Sequence, residues 1–315
     1  MLSRTADHLY WMARYTERAE NTARMLDVNW QMSLLPQPAA LARDSWAAML
    51  AISELTPQYL EGRESIDARE VLEFMVRDPA NGSSIVSCLH RARENARAVR
   101  GSITTEVWET LNTTWLEVQR LIREQQHLRD PSQFFEWVKF RSHLSRGVTI
   151  GTMLRDEALH FARLGTFLER ADNTARILDV KFYERGAPEA ADAPYREFYR
   201  LTALLRSVSA FEIYRRVYRD VVTPGRVAEL LILRDDMPRS LAASVCELQG
   251  NLEPVANHRS AETIRLAGRL HAELKYGRVD DILAQGLHAW LTEFLARINA
   301  IGDRVSRDFL LPLAA

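Results

Sequence analysis

Hydrophobic and polar positions along this chain recur at helical spacing almost from end to end. Apolar residues return every three or four positions, and the strict alternation that marks a half-buried strand is essentially absent. Gly and Pro are sparse and fall between long stretches rich in Ala, Leu, Arg and Glu. The pattern predicts helices over roughly 3–34, 40–59, 66–77, 83–100, 102–126, 132–146, 152–185, 193–220, 223–234, 239–252, 260–274 and 278–309. Asp130-Pro131 and Thr223-Pro224 place a proline near a first turn, as does MPRSL at 237–241. Asp78-Pro79 and Asn81-Gly82 mark a break. Gly186–Pro194 (GAPEAADAP) reads as an interhelix loop, too short for a domain tether. The fold class that follows is all-α.

Within this pattern one polar phrase occurs twice. ERAENTARMLDV begins at Glu17 and ERADNTARILDV at Glu169, with ten of twelve positions identical. At the same offset Ala6 and His8 match Ala158 and His160; Arg77-Asp78 later matches Arg234-Asp235, and Ser84-Ile85 lies opposite Ser240-Leu241. The simplest account is a tandem duplication of about 150 residues, too long a unit for a common solenoid repeat. Its halves would be 1–150 and 151–315, helical bundles of about six helices each, packed with pseudo-twofold symmetry into one compact domain.

On a helix, Glu17, Asn21 and Arg24 share one face, with Glu20 and Asp27 beside Arg24, while Trp11, Tyr15, Leu26 and Ala23 occupy the opposite arc. The second copy places Glu169, Arg170, Asn173, Arg176 and Asp179 where the first has Glu17, Arg18, Asn21, Arg24 and Asp27. A solvated salt-bridge stripe contributes only about 0.2–0.5 kcal/mol per pair and tolerates most polar residues. Identity of the charged set in both copies therefore points to a stripe buried against other polar groups, where every partner must be matched. Two accounts fit. Either the stripes face each other and lock the halves together, or they line a polar cleft for a carboxylate, amide or phosphate.

Some features belong to one half only. Arg93, Arg97 and Arg100 are spaced i, i+4, i+7, followed by Trp108, Glu109 and Asn112, and the corresponding stretch near 247–257 lacks the arginines. They form either a solvated face or a one-sided basic pocket for an acidic ligand or partner. The junction RSHLSRGVTIGTMLRDEALH (141–160) carries His143, the side chain suited to proton transfer near neutral pH, with Gly147 and Gly151 expected at turns or helix junctions. Glu17, Glu169 and His143 are the candidate catalytic groups.

Composition narrows the classes. Net charge is −1 over 315 residues, with 47% apolar and 26% charged positions, so nothing global points to nucleic acid or an anionic membrane. Cys88 and Cys246 stand far apart without a metal-site spacing, and no metal is expected. There is no Gly-rich phosphate loop, HExxH, GxSxG or paired ExxH, and no cofactor is indicated. The first twenty residues do not read as a secretory signal and no apolar run reaches membrane-spanning length, so a cytoplasmic location is expected.

With these residues in hand, the sequence resembles the alpha-E domain family, all-helical bacterial proteins with an "ER" motif, here Glu17-Arg18 and Glu169-Arg170. LYWMARYTERAENTARMLD, DPANGSSI, LHRARENARAVR, GTMLRDEALHFARLGTFLERADNTARILDVKF and LRSVSAFEIYRRVYR occur in the family's order. One departure is Gly82, where the family block leads one to expect Pro. Genes of the family typically lie beside circularly permuted ATP-grasp ligases and transglutaminase-like proteins. The resemblance implies a place in a pathway that forms or modifies amide bonds, on small peptides. Two functions follow: a non-catalytic helical partner of such a ligase, docking through the polar stripe and the 91–100 arginines, or an enzyme of amide chemistry using a Glu–Arg cleft.

Overall fold

The computed structural model describes residues 1–35, 39–183 and 193–310. Among them every regular element is helical. The order is α1 (Ser3–Ser33), α2 (Ala39–Ile52), α3 (Thr56–Leu60), α4 (Ala68–Arg77), α5 (Ile85–Ala98), α6 (Thr105–Arg123), α7 (Gln126–Arg129) and α8 (Pro131–Thr152). There follow α9 (Glu157–Tyr183), α10 (Ala193–Ser207), α11 (Phe211–Tyr218), α12 (Pro224–Ile232), α13 (Leu241–Leu252), α14 (Ala261–Tyr276), α15 (Val279–Gln285) and α16 (Leu287–Val305), the last running into a π turn at Ser306–Leu310.

The expected helices exist, but several are divided. The predicted 40–59, 193–220 and 278–309 break where Glu54, Ser209 and Gly286 take positive φ of 56°, 53° and 96°. A single left-handed residue turns the chain without disturbing the apolar spacing, so periodicity runs straight across it. Gly147 and Gly151 are not at turns. They lie inside α8, which continues to Thr152, and the turn falls at 153–156. There the Asp156 carboxylate accepts from the backbone N–H of Ala158 and Leu159 and caps the start of α9. Asp130 and Ser240 cap α8 and α13 in the same way. Residues 186–192 of the expected loop lie outside the described residues, and Ala193-Pro194 open α10.

At the centre α1 packs along α9. Tyr10 meets Gly165, Arg14 and Arg18 meet Glu169, and Glu17 meets Arg170, so contacts advance together and the two helices run in the same direction. α5 and α8 flank α1, while α13 and α16 flank α9. α2 lies against α9 and α10 against α1, so each long helix is covered by the segment that follows the other. One hydrophobic core runs through the assembly, with Tyr10, Trp46, Tyr59, Phe74, Phe134, Phe135, Tyr214 and Phe294 among its largest members. Side chains of this size each contribute about 1.5–3 kcal/mol on full burial. No helix among the described residues is long and apolar enough to cross a membrane.

Candidate functional site

The repeated phrase sits in the middle of α1 and α9, where those helices face each other. Nε and Nη2 of Arg170 donate to the two oxygens of Glu17, each at 2.9 Å. Nε and Nη2 of Arg18 donate to the two oxygens of Glu169 at 2.6 and 3.0 Å. Each Glu-Arg pair is thus answered by the other, by two-pronged guanidinium–carboxylate bonds. Arg14 adds a third bond to Glu169 at 2.8 Å.

Around Glu17 the network is larger. Arg239, from the turn before α13, reaches Glu17 at 3.0 Å, the Asn21 carbonyl at 2.8 Å, and Glu20. Arg146 of α8 binds Glu17 at 3.1 Å and also Glu20. Glu20 further accepts from Arg24 at 2.7 and 2.9 Å and from the Ser142 hydroxyl at 2.6 Å. Glu17 and Glu20 are essentially sealed from solvent, and Arg24, Arg170 and Arg239 nearly so. Their charges are tolerated because every carboxylate lone pair has a donor.

Burial pushes the Glu17 carboxyl up, but Arg170 and Arg239 override it and hold it at about 2 against an ordinary 4.5. Burial likewise opposes ionisation of Glu20 and Glu169; Arg239, Arg146 and Arg24 hold the first well down, and Arg14 and Arg18 hold the second down. Burial pushes the Arg239 guanidinium below its usual range. A carboxyl depressed in the fold gives stability that is full above its unfolded value and lost as pH falls through its folded one. The melting temperature should therefore hold above about pH 4.5 and fall steadily toward pH 2, the window set by Glu17. Thermal unfolding across that range checks this; a flat profile contradicts it.

The remaining expected residues divide clearly. Asn21 accepts from Arg239, while its amide nitrogen is buried without a partner among the described residues. Asn173 is half-buried and makes no comparable bond among them. Asp27 pairs with Lys139 at 2.7 Å and Asp179 with His288 at 2.5 Å. Arg176 binds Asp172 at 2.8 Å and Glu54 at 2.6 Å. His143 is exposed between Arg24 and Arg146, at 3.0 and 3.3 Å from its two ring nitrogens, and does not touch Glu17 or Glu169. Partial burial lowers its pKa; Glu20 opposes this, and Arg24, Arg146 and Arg239 reinforce it. The 91–100 arginines are drawn onto their own surroundings. Arg93 and Arg97 hold Glu94, Arg93 also reaches Asn112 at 3.1 Å, and Arg93 and Arg100 lie over the Trp108 ring. No group of His, Cys, Asp and Glu able to hold a metal occurs among the described residues.

Sequence reasoning missed Arg239, Arg146 and Arg14 as members of the site, and treated Glu20 only as a neighbour of Arg24. Arg239 could have been noticed: it precedes the repeated Ser240 where Ser83 precedes Ser84.

An all-helical chain built on two mutually paired Glu-Arg motifs defines a class of helical domain. The chain belongs to the Alpha-E family, described as a predicted alpha-helical domain with a conserved ER motif, whose model matches residues 1–310. It is similar to uncharacterized proteins of Mycobacterium bovis and Mycobacterium tuberculosis, 25% identical over 325 residues. The match covers 94% of this chain and 35% of each relative, so the chain spans about a third of the length of these curated relatives. No solved structure matches.

Proposed function

We propose that this protein is a non-catalytic helical partner, made of two copies of one eight-helix unit clasped by their Glu-Arg motifs, that docks onto a circularly permuted ATP-grasp ligase or a transglutaminase-like protein of amide-bond chemistry. The observation that carries the first part is the state of the motif carboxylates. Glu17 is sealed, bound by three arginines and held at about 2, so it is a poor proton acceptor at neutral pH. Glu169 is likewise buried, and Arg14 and Arg18 hold its carboxyl below the ordinary value. That arrangement supports a clasp over an acid–base site.

Duplication is supported by matched detail. α1–α8 and α9–α16 follow the same order, and α5 and α13 both open on a capping serine. His8 binds Asn95 and His160 binds Asn251, each at 2.8 Å. Tyr59 and Tyr214 each accept from a backbone N–H in the loop before the following helix. Reciprocal pairs of the form i to j and j to i are the mark of a twofold interface.

A docking face is supported on α8. Phe140, Leu144, Gly147 and Gly151 lie along one side of it, Phe140 65% and Leu144 37% exposed. A Cβ added at either glycine would meet nothing within 4 Å, so internal packing gives no reason for them. Each weakens the helix by about 1 kcal/mol relative to Ala. A partner's backbone lying close along α8 would supply the reason. The match to only 35% of longer mycobacterial chains fits a module that works beside other domains.

The test is copurification with a circularly permuted ATP-grasp ligase from the same organism, followed by ligase turnover with and without this chain. No complex at micromolar concentration together with unchanged turnover refutes the proposal. Phe140→Glu with Leu144→Glu should weaken the complex by about a hundredfold while leaving the melting temperature within about 2 °C, because both side chains are exposed.

A further inference from the structure

A cleft opens between α1, α8 and α9, beside the network. Met12, Ala13, Ile150, Leu159, Ala162 and Phe167 give it apolar walls, and Glu17 and Arg146 lie at its polar end. Its cavity volume is about 70 Å³. We propose that this cleft binds a small carboxylate with an apolar body, its oxygens on Arg146.

The charge around Glu17 and Glu20 is unbalanced. Arg24, Arg146, Arg170 and Arg239 surround two carboxylates, and both carboxylates have their lone pairs filled. A buried excess of positive charge is stabilised by an added anion. Arg146 is the member placed to receive one. Its Nη2 serves Glu17 and Glu20, its Nη1 touches only the His143 ring, and its side chain is 30% exposed on the cleft.

A comparison between the halves points the same way, and this step rests on the duplication proposed above. Arg176 pairs with Glu54, whereas Arg24 reaches the hydroxyl of Ser209, the residue with the matching left-handed turn. Ser83 stands where Arg239 stands in the other half. Both differences add positive charge on the Glu17 side.

The walls settle the rest of the ligand. The Thr16, Thr149 and Thr166 hydroxyls donate to the carbonyls of Met12, Ser145 and Ala162, and the second arginine on the lining, Arg163, is paired with Glu247. Phe167, with the Arg163 and Arg170 guanidiniums 5.3 and 5.1 Å from its ring centre, adds an aromatic side chain to the lining. One oxyanion end and one apolar body match this lining.

Hexanoate, hexanamide and inorganic phosphate, compared by calorimetry at constant ionic strength on the full chain, test the proposal. Hexanoate should bind at least about tenfold more tightly than either of the others, since hexanamide lacks the charge and phosphate lacks the body. Arg146→Gln should remove that preference and Arg146→Lys retain part of it. Because Arg146→Gln also disturbs the network, Ile150→Trp provides the second variant: it narrows the mouth from an exposed position and should abolish hexanoate binding with the melting temperature preserved. Equal binding of hexanoate and hexanamide, no hexanoate binding, or undiminished binding by Ile150→Trp each overturns the assignment. The outcome is separate from partner docking, which α8 variants at Phe140 and Leu144 report.

Discussion

Glu17→Gln should lower stability by about 3–5 kcal/mol, on the order of 10 °C in melting temperature, without any ligand or partner present. The substitution is nearly isosteric, so it tests charge rather than volume. It leaves Arg170 and Arg239, with side chains 7% and 9% exposed, without the carboxylate that compensates them. Removing one member of a buried ion network is severe because the others remain buried. Glu169→Gln should be milder, about 1–3 kcal/mol, because its partners Arg14 and Arg18 are 14% and 26% exposed and water can replace part of what is lost. Combining Glu17→Gln with Arg170→Gln should cost clearly less than the sum of the single changes, since each removes the other's stranded partner. Chemical denaturation of the parent, the three single variants and the double variant measures this. A catalytic Glu17 predicts the opposite pattern: activity lost with the melting temperature nearly unchanged. Equal, small effects at both glutamates would refute the clasp.

The helical class, the polar stripe and its burial were legible because they are local properties of spacing. Glu17, Arg18, Glu169 and Arg170 could be picked out because the same charged set occurs at matching positions. Who partners whom was not legible. Arg239 is 222 residues from Glu17 and Arg146 is 129 residues away, and their approach depends on how α8 and the turn before α13 pack against α1. Helix ends at Glu54 and Ser209 escaped for a different reason: each is one residue in a left-handed conformation inside an unbroken apolar rhythm. Gly147 and Gly151 suggest a junction by residue type but stay helical, on a face where no neighbour among the described residues crowds them.

Gly165 carries a comparably large expectation. It lies on α9 where that helix packs against the Tyr10 backbone of α1. A Cβ there would fall well inside the van der Waals distance of the Tyr10 carbonyl oxygen and 3.0 Å from its carbon. Those atoms belong to the backbone of a helix, so no side-chain rotation relieves the clash. Gly165→Val must push the two central helices apart, with an expected loss of about 3 kcal/mol or more. The helix itself gains slightly from losing a glycine, by less than about 1 kcal/mol, so the sign is not in doubt. The displacement matters beyond packing. Arg14 and Arg18 meet Glu169 and Arg170 meets Glu17 one to two turns further along the same two helices, at 2.6–3.0 Å. Charge-assisted bonds of that length weaken steeply when their backbones separate. Gly165→Val should therefore also shift the acid-unfolding profile, because the motif carboxyls lose the guanidinium groups that keep them depressed. A variant that loses stability at pH 7 and becomes less sensitive to acid between about pH 4.5 and 2 fits this coupling. A variant as stable as the parent shows that the crossing is looser than its geometry, and that the clasp does not depend on it.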